Sequence, residues 1–146
     1  MPANVEPVDM GRVTAEIVLT NNEDNSLANA GVIPRENVRR VHVTGIVDTG
    51  SMHMVIPQAL ATQLGLPITG QATVRYADHR PGTRDIADQL SVEILGRTGT
   101  YRAIVEPDRP TVLIGAIALE DMDFIVDCPL QVLMPRDPEH ITSTLE

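Results

Sequence analysis

The sequence has no lysine and no tryptophan, and it has one cysteine in 146 residues. The lack of lysine excludes Schiff-base catalysis and a lysine-dependent phosphate-binding loop. The single cysteine, Cys128, excludes an internal disulfide and a cysteine-based metal site. Because Cys128 lies beside an apolar segment, we expect it to be a buried structural thiol.

Basic side chains and long apolar runs are also scarce. The formal net charge is −9, whereas binding to nucleic-acid phosphates needs clustered basic side chains. No apolar run approaches the length that spans a membrane, and the N-terminal residues lack the charged-then-apolar pattern of a signal peptide. These features predict a soluble cytoplasmic protein with no nucleic-acid or membrane partner.

The aromatic residues are limited to two tyrosines and one phenylalanine, so the core must be aliphatic. Valine, isoleucine and threonine are frequent, glycine and proline are scattered throughout, and no long helical periodicity is present. This profile favours a mostly β domain. The chain length suits one domain with a substantial core.

The hydrophobic pattern predicts eight or nine short strands and two short helices, without a parallel βαβ pattern. A closed or nearly closed all-β barrel accounts for this arrangement. We expect a flexible lead-in at residues 1–10, one domain at 11–135 and a polar tail at 136–146. Segment 21–37 reads as a turn-rich connection with a short helical turn near 27–30, and a tight hairpin turn is predicted at 96–99. The predicted strands are 13–19, 38–47, 54–56, 72–77, 85–94, 100–105, 112–115, 124–127 and 130–135, and the helices are 57–64 and 117–122.

One acidic residue, Asp48, stands where a β-branched run breaks into the turn Thr49-Gly50-Ser51, after which an apolar strand resumes. Gly50 lets backbone segments approach closely at this turn. An ordinary Asx turn between two strands would explain these residues on their own. The rest of the chain therefore decides whether Asp48 is a catalytic acid.

With this turn, a helix ending in Leu64-Gly65-Leu66-Pro67 and the later Val112-Leu113-Ile114-Gly115, the chain resembles the retropepsin-like aspartic proteases. It is most similar to their prokaryotic single-domain branch, and the likeness extends over residues 13–135. The resemblance implies a barrel of the retropepsin (acid protease) type and an aspartic endopeptidase that needs no cofactor or metal. It also implies a peptide or protein substrate.

Aspartic proteases need two carboxyl groups that lie close together and share one proton. This chain has one Asp-Thr-Gly, and the other acidic stretches, such as Asp127-Cys128-Pro129, lack the Thr-Gly turn. The second carboxyl must then come from a second copy of the chain. We therefore expect a homodimer with its active site on the twofold axis and one Asp48 from each subunit.

The resemblance implies further roles. Thr49 would hydrogen-bond across the axis, and the Gly50 carbonyl would accept hydrogen bonds from the substrate. The Ser51 hydroxyl would bond the outer oxygen of Asp48, which stabilises the ionised form and implies an acidic pH optimum. The turn after residue 76 falls where the family has the flap that closes over substrate. The expected substrate-binding residues are Met52, His53, Ala77, Asp78, His79, Gly82 and Ile114.

Two other readings belong to different functional classes. The first is a catalytically inactive retropepsin-fold module that binds peptides or mediates dimerisation; the intact Asp48-Thr49-Gly50-Ser51 turn argues against it. The second is a metal-dependent hydrolase that uses Asp48, Asp78 and His79, and the poor ligand spacing of these residues argues against that.

Overall fold

The computed structural model describes residues 12–146, so the predicted lead-in at 1–10 lies outside the described residues. The strands of the described chain are β1 (Val13–Asn21), β2 (Arg40–Val47), β3 (Met54–Pro57), β4 (Ile68–Arg75), β5 (Pro81–Ile94), β6 (Arg97–Glu106), β7 (Val112–Ile114), β8 (Phe124–Asp127) and β9 (Val132–Pro135). The α-helices are α1 (Asn22–Asn29), α2 (Gln58–Leu64) and α3 (Ala116–Asp121), and a 3-10 turn covers Arg35–Asn37.

Six strands close into a barrel in the order β1-β2-β7-β3-β6-β5, and pairing between β5 and β1 completes the ring. β4 extends the sheet beyond β5, and β8 and β9 form a separate two-stranded sheet. The predicted β-barrel is confirmed. Strand closure leaves no exposed sheet edge within the ring itself.

Two pairs of strands in the barrel are parallel, namely β2 with β7 and β3 with β6. In the first pair Val47 lies opposite Ile114. The residue after β2, which is Asp48, therefore lies beside the residue after β7, which is Gly115. This juxtaposition brings together two segments that are far apart in the sequence.

The core is aliphatic, as expected. Strand alternation divides the apolar side chains between two faces of the sheet. The barrel interior contains fully buried residues such as Leu19, Ile56, Leu90 and Ile114. A smaller cluster lies on the other face and includes residues of β4, so it lies between the barrel wall and the β4–β5 hairpin. This cluster, here named the apolar strip, consists of Ile46, Val55, Ala72, Val74, Ile86, Ile104 and Leu113.

Helix α2 confirms the helix predicted at 57–64, except that it begins one residue later. Pro57 precedes the first helical residue, and Gly65 ends the helix with a φ of +64°. A left-handed residue at this position is a common helix terminator, and glycine adopts it without steric cost. The short helix predicted at 117–122 is present as α3.

Helix α1 was not fully predicted. It begins five residues before the expected helical turn and raises the number of α-helices in the described chain to three. The side chain of Asn21 caps it by accepting a hydrogen bond from the Asp24 backbone N–H at 3.0 Å. Glu23 and Asp24 lie in the first turn, where acidic side chains interact favourably with the helix dipole.

The hairpin turn between β5 and β6 lies earlier than predicted. It consists of Leu95 and Gly96, with φ values of +50° and +82°, and the next strand already begins at Arg97. Gly99, predicted to be in the turn, is a strand residue. A Cβ at position 99 would lie 2.1 Å from the Tyr101 hydroxyl oxygen, so Gly99 provides space for that side chain.

The prediction that Cys128 is buried is wrong, because its side chain is exposed. β8 ends at Asp127, whose carboxylate accepts a hydrogen bond from the Leu130 backbone N–H at 3.0 Å. This side-chain contact makes a turn at the point where the sequence suggested continued packing. Cys128 lies in that turn, outside the core.

Candidate active site

The loop between β2 and β3 carries the predicted catalytic turn. The Asp48 backbone N–H donates to the Ile114 carbonyl at 3.0 Å, and the Ser51 N–H donates to the Asp48 carbonyl at 3.1 Å. The Asp48 carboxylate accepts a hydrogen bond from the Gly50 N–H at 3.0 Å. The backbone thus fixes a half-buried carboxylate at the end of β2, while Thr49 and Gly50 are exposed.

The Ser51 hydroxyl does not make the expected contact with Asp48 within this chain. It donates instead to the His53 carbonyl at 3.0 Å. This bond lies inside the loop and stabilises its return toward β3. The acidic pH optimum inferred from a Ser51–Asp48 contact stays a prediction.

A second segment, which begins at Gly115, holds the loop in place through backbone hydrogen bonds. The Ala116 N–H donates to the Ser51 carbonyl at 2.7 Å, and the Ile117 N–H donates to the Met52 carbonyl at 3.1 Å. A Cβ at position 115 would lie 2.2 Å from the His53 carbonyl oxygen, so only glycine permits this approach. Gly115 was missing from the predicted site residues, although a glycine directly after the apolar 112–114 run was the signal for it.

Ile114 was predicted to bind substrate, but it is not accessible in this structure. Its side chain has no exposed surface and lies in the barrel interior, where a Cβ at Gly45 would contact it at 2.9 Å. Its neighbour Leu113 faces the other way, into the apolar strip. The period-two alternation of a strand could have distinguished the two residues once the inner face was known.

Three other predicted residues, Ala77, Asp78 and His79, form the exposed tip of the β4–β5 hairpin. The Tyr76 N–H donates to the Arg80 carbonyl at 3.1 Å, and His79 has a φ of +66°. Asp78 also forms an ion pair with Arg80. The segment predicted as the flap is therefore a hairpin with a three-residue tip.

Gly82, which was predicted to bind substrate, is a residue of β5 and lies opposite Val74. A Cβ at Gly82 would lie 3.1 Å from the Tyr76 ring. Its contribution in this structure is space for the ring.

Met52 and His53 occupy the outer part of the loop between β2 and β3. The Met52 side chain is 65% exposed, and His53 lines a cleft of about 410 Å³. The side chains of both residues are therefore accessible from outside the loop. The other residues around this cleft are Met54, Asp88, Thr100, Tyr101, Arg102, Ile117 and Ala118.

A metal site at Asp48, Asp78 and His79 is not formed. Within residues 12–146, no group of three or more histidine, cysteine, aspartate or glutamate side chains is placed to hold a metal ion. The described part of the chain also has no helix that is both long enough and apolar enough to cross a membrane.

Comparison with known protein families gives one match. A family model described as aspartyl protease matches residues 36–118, which is more than half of the chain. The matched region extends from the approach to β2 through the β2–β3 loop and the β4–β5 hairpin into α3. No curated protein matches the chain.

Proposed function

Because this chain belongs to the aspartyl protease family, we propose that it is an aspartic endopeptidase in which Asp48 works with Asp48 of a second copy. The observation that carries this proposal is the placement of a half-buried Asp48 carboxylate at the end of β2, in the family-matched region and in the only Asp-Thr-Gly of the sequence. One such turn supplies half of a two-carboxyl site.

The proposed chemistry is the hydrolysis of a peptide bond by a bound water. The ionised Asp48 takes a proton from the water as it attacks the carbonyl carbon, and the protonated Asp48 of the second copy donates to the carbonyl oxygen. The Asp48 that took the water proton donates it to the leaving nitrogen as the C–N bond breaks, and the hydroxyl formed from the carbonyl oxygen returns its proton to the Asp48 of the second copy. Two carboxyl groups that lie close together share a single proton, because ionising both would place like charges side by side.

The proposed substrate is an extended peptide with aliphatic side chains near the cleaved bond. The apolar strip supports this proposal, because it combines Val55, which follows the loop between β2 and β3, and its cross-strand partner Leu113 with residues of the flap hairpin. An apolar surface of this kind favours aliphatic over charged side chains. Met52, His53, Ala77, Asp78 and His79 remain proposed contacts, and Leu113 replaces Ile114.

The surface of the β8–β9 sheet supports a homodimer. Within the described residues these two strands pair with each other alone. The exposed apolar side chains of the two strands and of the turn that joins them include Ile125 at 44%, Leu130 at 67% and Val132 at 40%. Covering such a surface with a second copy removes apolar area from water. We place this dimer in the cytoplasm, where a lone exposed thiol such as Cys128 is kept reduced.

The test is cleavage of a degenerate peptide pool by the wild-type protein and by Asp48→Asn, each with pepstatin, with a metal chelator and with neither. We expect Asp48→Asn to lower the cleavage rate by at least about a thousandfold, since the acid–base step is lost. Pepstatin should inhibit the wild-type protein, and the chelator should have no effect.

Glu36→Gln is the matched control, because it also converts a carboxylate to an amide, at an exposed residue of the 3-10 turn outside the proposed site. It should retain most of the activity. Peptide binding without cleavage by the wild-type protein would instead indicate an inactive binding module. Loss of cleavage with the chelator would indicate a metal-dependent enzyme.

A further inference from the structure

The flap hairpin, residues 68–87, is held by few backbone contacts. Among the described strands, β4 pairs with β5 alone. Toward the N-terminal end of β5, pairing with β6 stops at Ile86, which lies opposite Ile104. Residues 81–85 of β5 therefore have only β4 as a sheet neighbour. The outer part of the hairpin therefore projects from the barrel. Its position depends on side-chain contacts.

One polar side chain of the barrel reaches this projecting part. Glu106, the last residue of β6, accepts a hydrogen bond from the Tyr76 hydroxyl at 2.9 Å and from Arg84 Nε at 2.6 Å, both on its Oε1 atom. Tyr76 directly follows β4, and Arg84 lies in β5. One carboxylate thus connects both arms of the hairpin to the barrel.

These three side chains lie at the end of the apolar strip. Glu106 is two residues from Ile104, Arg84 is two residues from Ile86, and Tyr76 is two residues from Val74. Residues two apart on a strand share a face of the sheet, and Ile104, Ile86 and Val74 belong to the apolar strip. The polar contact therefore continues the surface on which the hairpin rests.

The surroundings of Glu106 favour the protonated forms of Tyr76 and Arg84, in which both can donate hydrogen bonds to its carboxylate. The hydrogen bond to Glu106 raises the pKa of Arg84, and the charges of Glu106 and Asp108 add to this effect. Burial and the hydrogen bond to Glu106 raise the pKa of Tyr76, while the charges of Arg84 and Arg80 oppose the rise. Both of these guanidinium groups also contact the Tyr76 ring, and the Cζ atom of each lies 5.5 Å from the ring centroid.

We infer that Glu106 is a positioning residue that fixes the flap hairpin over the apolar strip by holding Tyr76 and Arg84. The Glu106 and Arg84 side chains are 13% and 27% exposed, so solvent weakens their ion pair less than a fully exposed one. The kinetic part of this inference rests on the proposed peptidase function. Through the flap, Glu106 would favour the closed state that retains substrate.

The test is hydrogen exchange of the backbone amides in Glu106→Gln, measured without substrate. Glutamine keeps the shape of the side chain but removes the charge that both donors face. We expect amides of residues 68–85 to exchange about tenfold faster than in the wild-type protein, with β1 and β2 unchanged. In peptide cleavage, KM should rise about fivefold to tenfold, with a smaller change in kcat.

Glu93→Gln is the matched control, since Glu93 is an exposed residue near the other end of β5, and it should leave flap exchange unchanged. Tyr76→Phe removes a single hydroxyl group and should raise flap exchange in the same direction, which keeps the test decisive if Glu106→Gln does not fold. Unchanged flap exchange in the variants would overturn the inference, as would an equal increase throughout the barrel. Faster flap exchange in a protein that cleaves no peptide would support the positioning role and refute the peptidase function.

Discussion

At the scale of single residues, Gly115 determines how closely the loop between β2 and β3 approaches the start of α3. We predict that Gly115→Ala lowers the free energy of unfolding by about 3 kcal/mol, because the added Cβ would press on backbone that has little freedom to move. It would lie 2.2 Å from the His53 carbonyl oxygen and 2.8 Å from the Ser51 carbonyl oxygen. Urea denaturation followed by circular dichroism measures this change.

Gly70→Ala is a suitable control for that substitution. Gly70 lies in β4, and a Cβ at this position would have no atom within 4 Å. Its effect on stability should stay within about 1 kcal/mol. A Gly115→Ala variant as stable as Gly70→Ala would show that the loop can move away from α3.

Single residues also show what the sequence could predict. The Asp48 turn was predictable because its geometry depends on neighbouring residues in the chain. The choice between Leu113 and Ile114 was not, since it depends on which face of β7 meets the barrel interior. The acceptor of the Ser51 hydroxyl was likewise not predictable, because the sequence does not rank the Asp48 carboxylate against the His53 carbonyl.

At the scale of elements, α1 shows the limit of pattern reading. Its one buried residue is Asp24, so it lacks the apolar stripe by which a helix is usually predicted. An ion pair attaches it to the barrel instead. Asp24 accepts hydrogen bonds from Arg39 Nε at 2.8 Å, from an outer guanidinium nitrogen of Arg39 at 3.0 Å and from the Arg39 backbone N–H at 3.1 Å. Strands were easier to predict, because alternation is visible along each one.

We predict that Asp24→Asn lowers the free energy of unfolding by about 1–2 kcal/mol at neutral pH. The expected loss is smaller than for a buried ion pair, because Arg39 is half exposed and solvent weakens the interaction. The hydrogen bond from the Arg39 side chain lowers the pKa of Asp24, although burial opposes this effect. An acid whose pKa is lower in the folded state stabilises the fold above its unfolded pKa, which is about 3.9. This contribution is lost as the pH falls below that value toward the folded pKa.

The difference between the wild-type protein and Asp24→Asn should therefore be constant above about pH 5 and shrink below about pH 4. Urea denaturation at a series of pH values measures it. Glu36→Gln, an exposed acid in the nearby 3-10 turn, serves as the control and should show little difference at any pH. A stability gap for Asp24→Asn that grows at low pH would contradict the assigned ion pair.

At the scale of the whole molecule, barrel closure was predictable and the order of the strands was not. Nine short strands without βαβ units imply a barrel. The pairing of β2 with β7 connects segments more than sixty residues apart, and local patterns do not encode such contacts. Yet this pairing is what brings Gly115 next to the loop that carries Asp48.

Whether the site is complete in one chain or needs two can be decided by mixing subunits. We predict that co-refolding the wild-type protein with a ninefold excess of Asp48→Asn lowers the cleavage rate to about a tenth, since random pairing places most wild-type chains in mixed dimers. A mixed dimer has one Asp48, so it lacks the second carboxyl of the proton-sharing pair. The cleavage rate per wild-type chain after co-refolding is the measurement.

Mixing the two proteins immediately before the assay controls for competition by the excess protein, because subunits have not yet exchanged. In that sample the rate should start near the wild-type value and fall as exchange proceeds. Dilution of the wild-type protein alone should lower its specific activity for the same reason. A rate that is unchanged after co-refolding would mean that each chain cleaves on its own, and the second acid would then have to be found within the chain that carries Asp48.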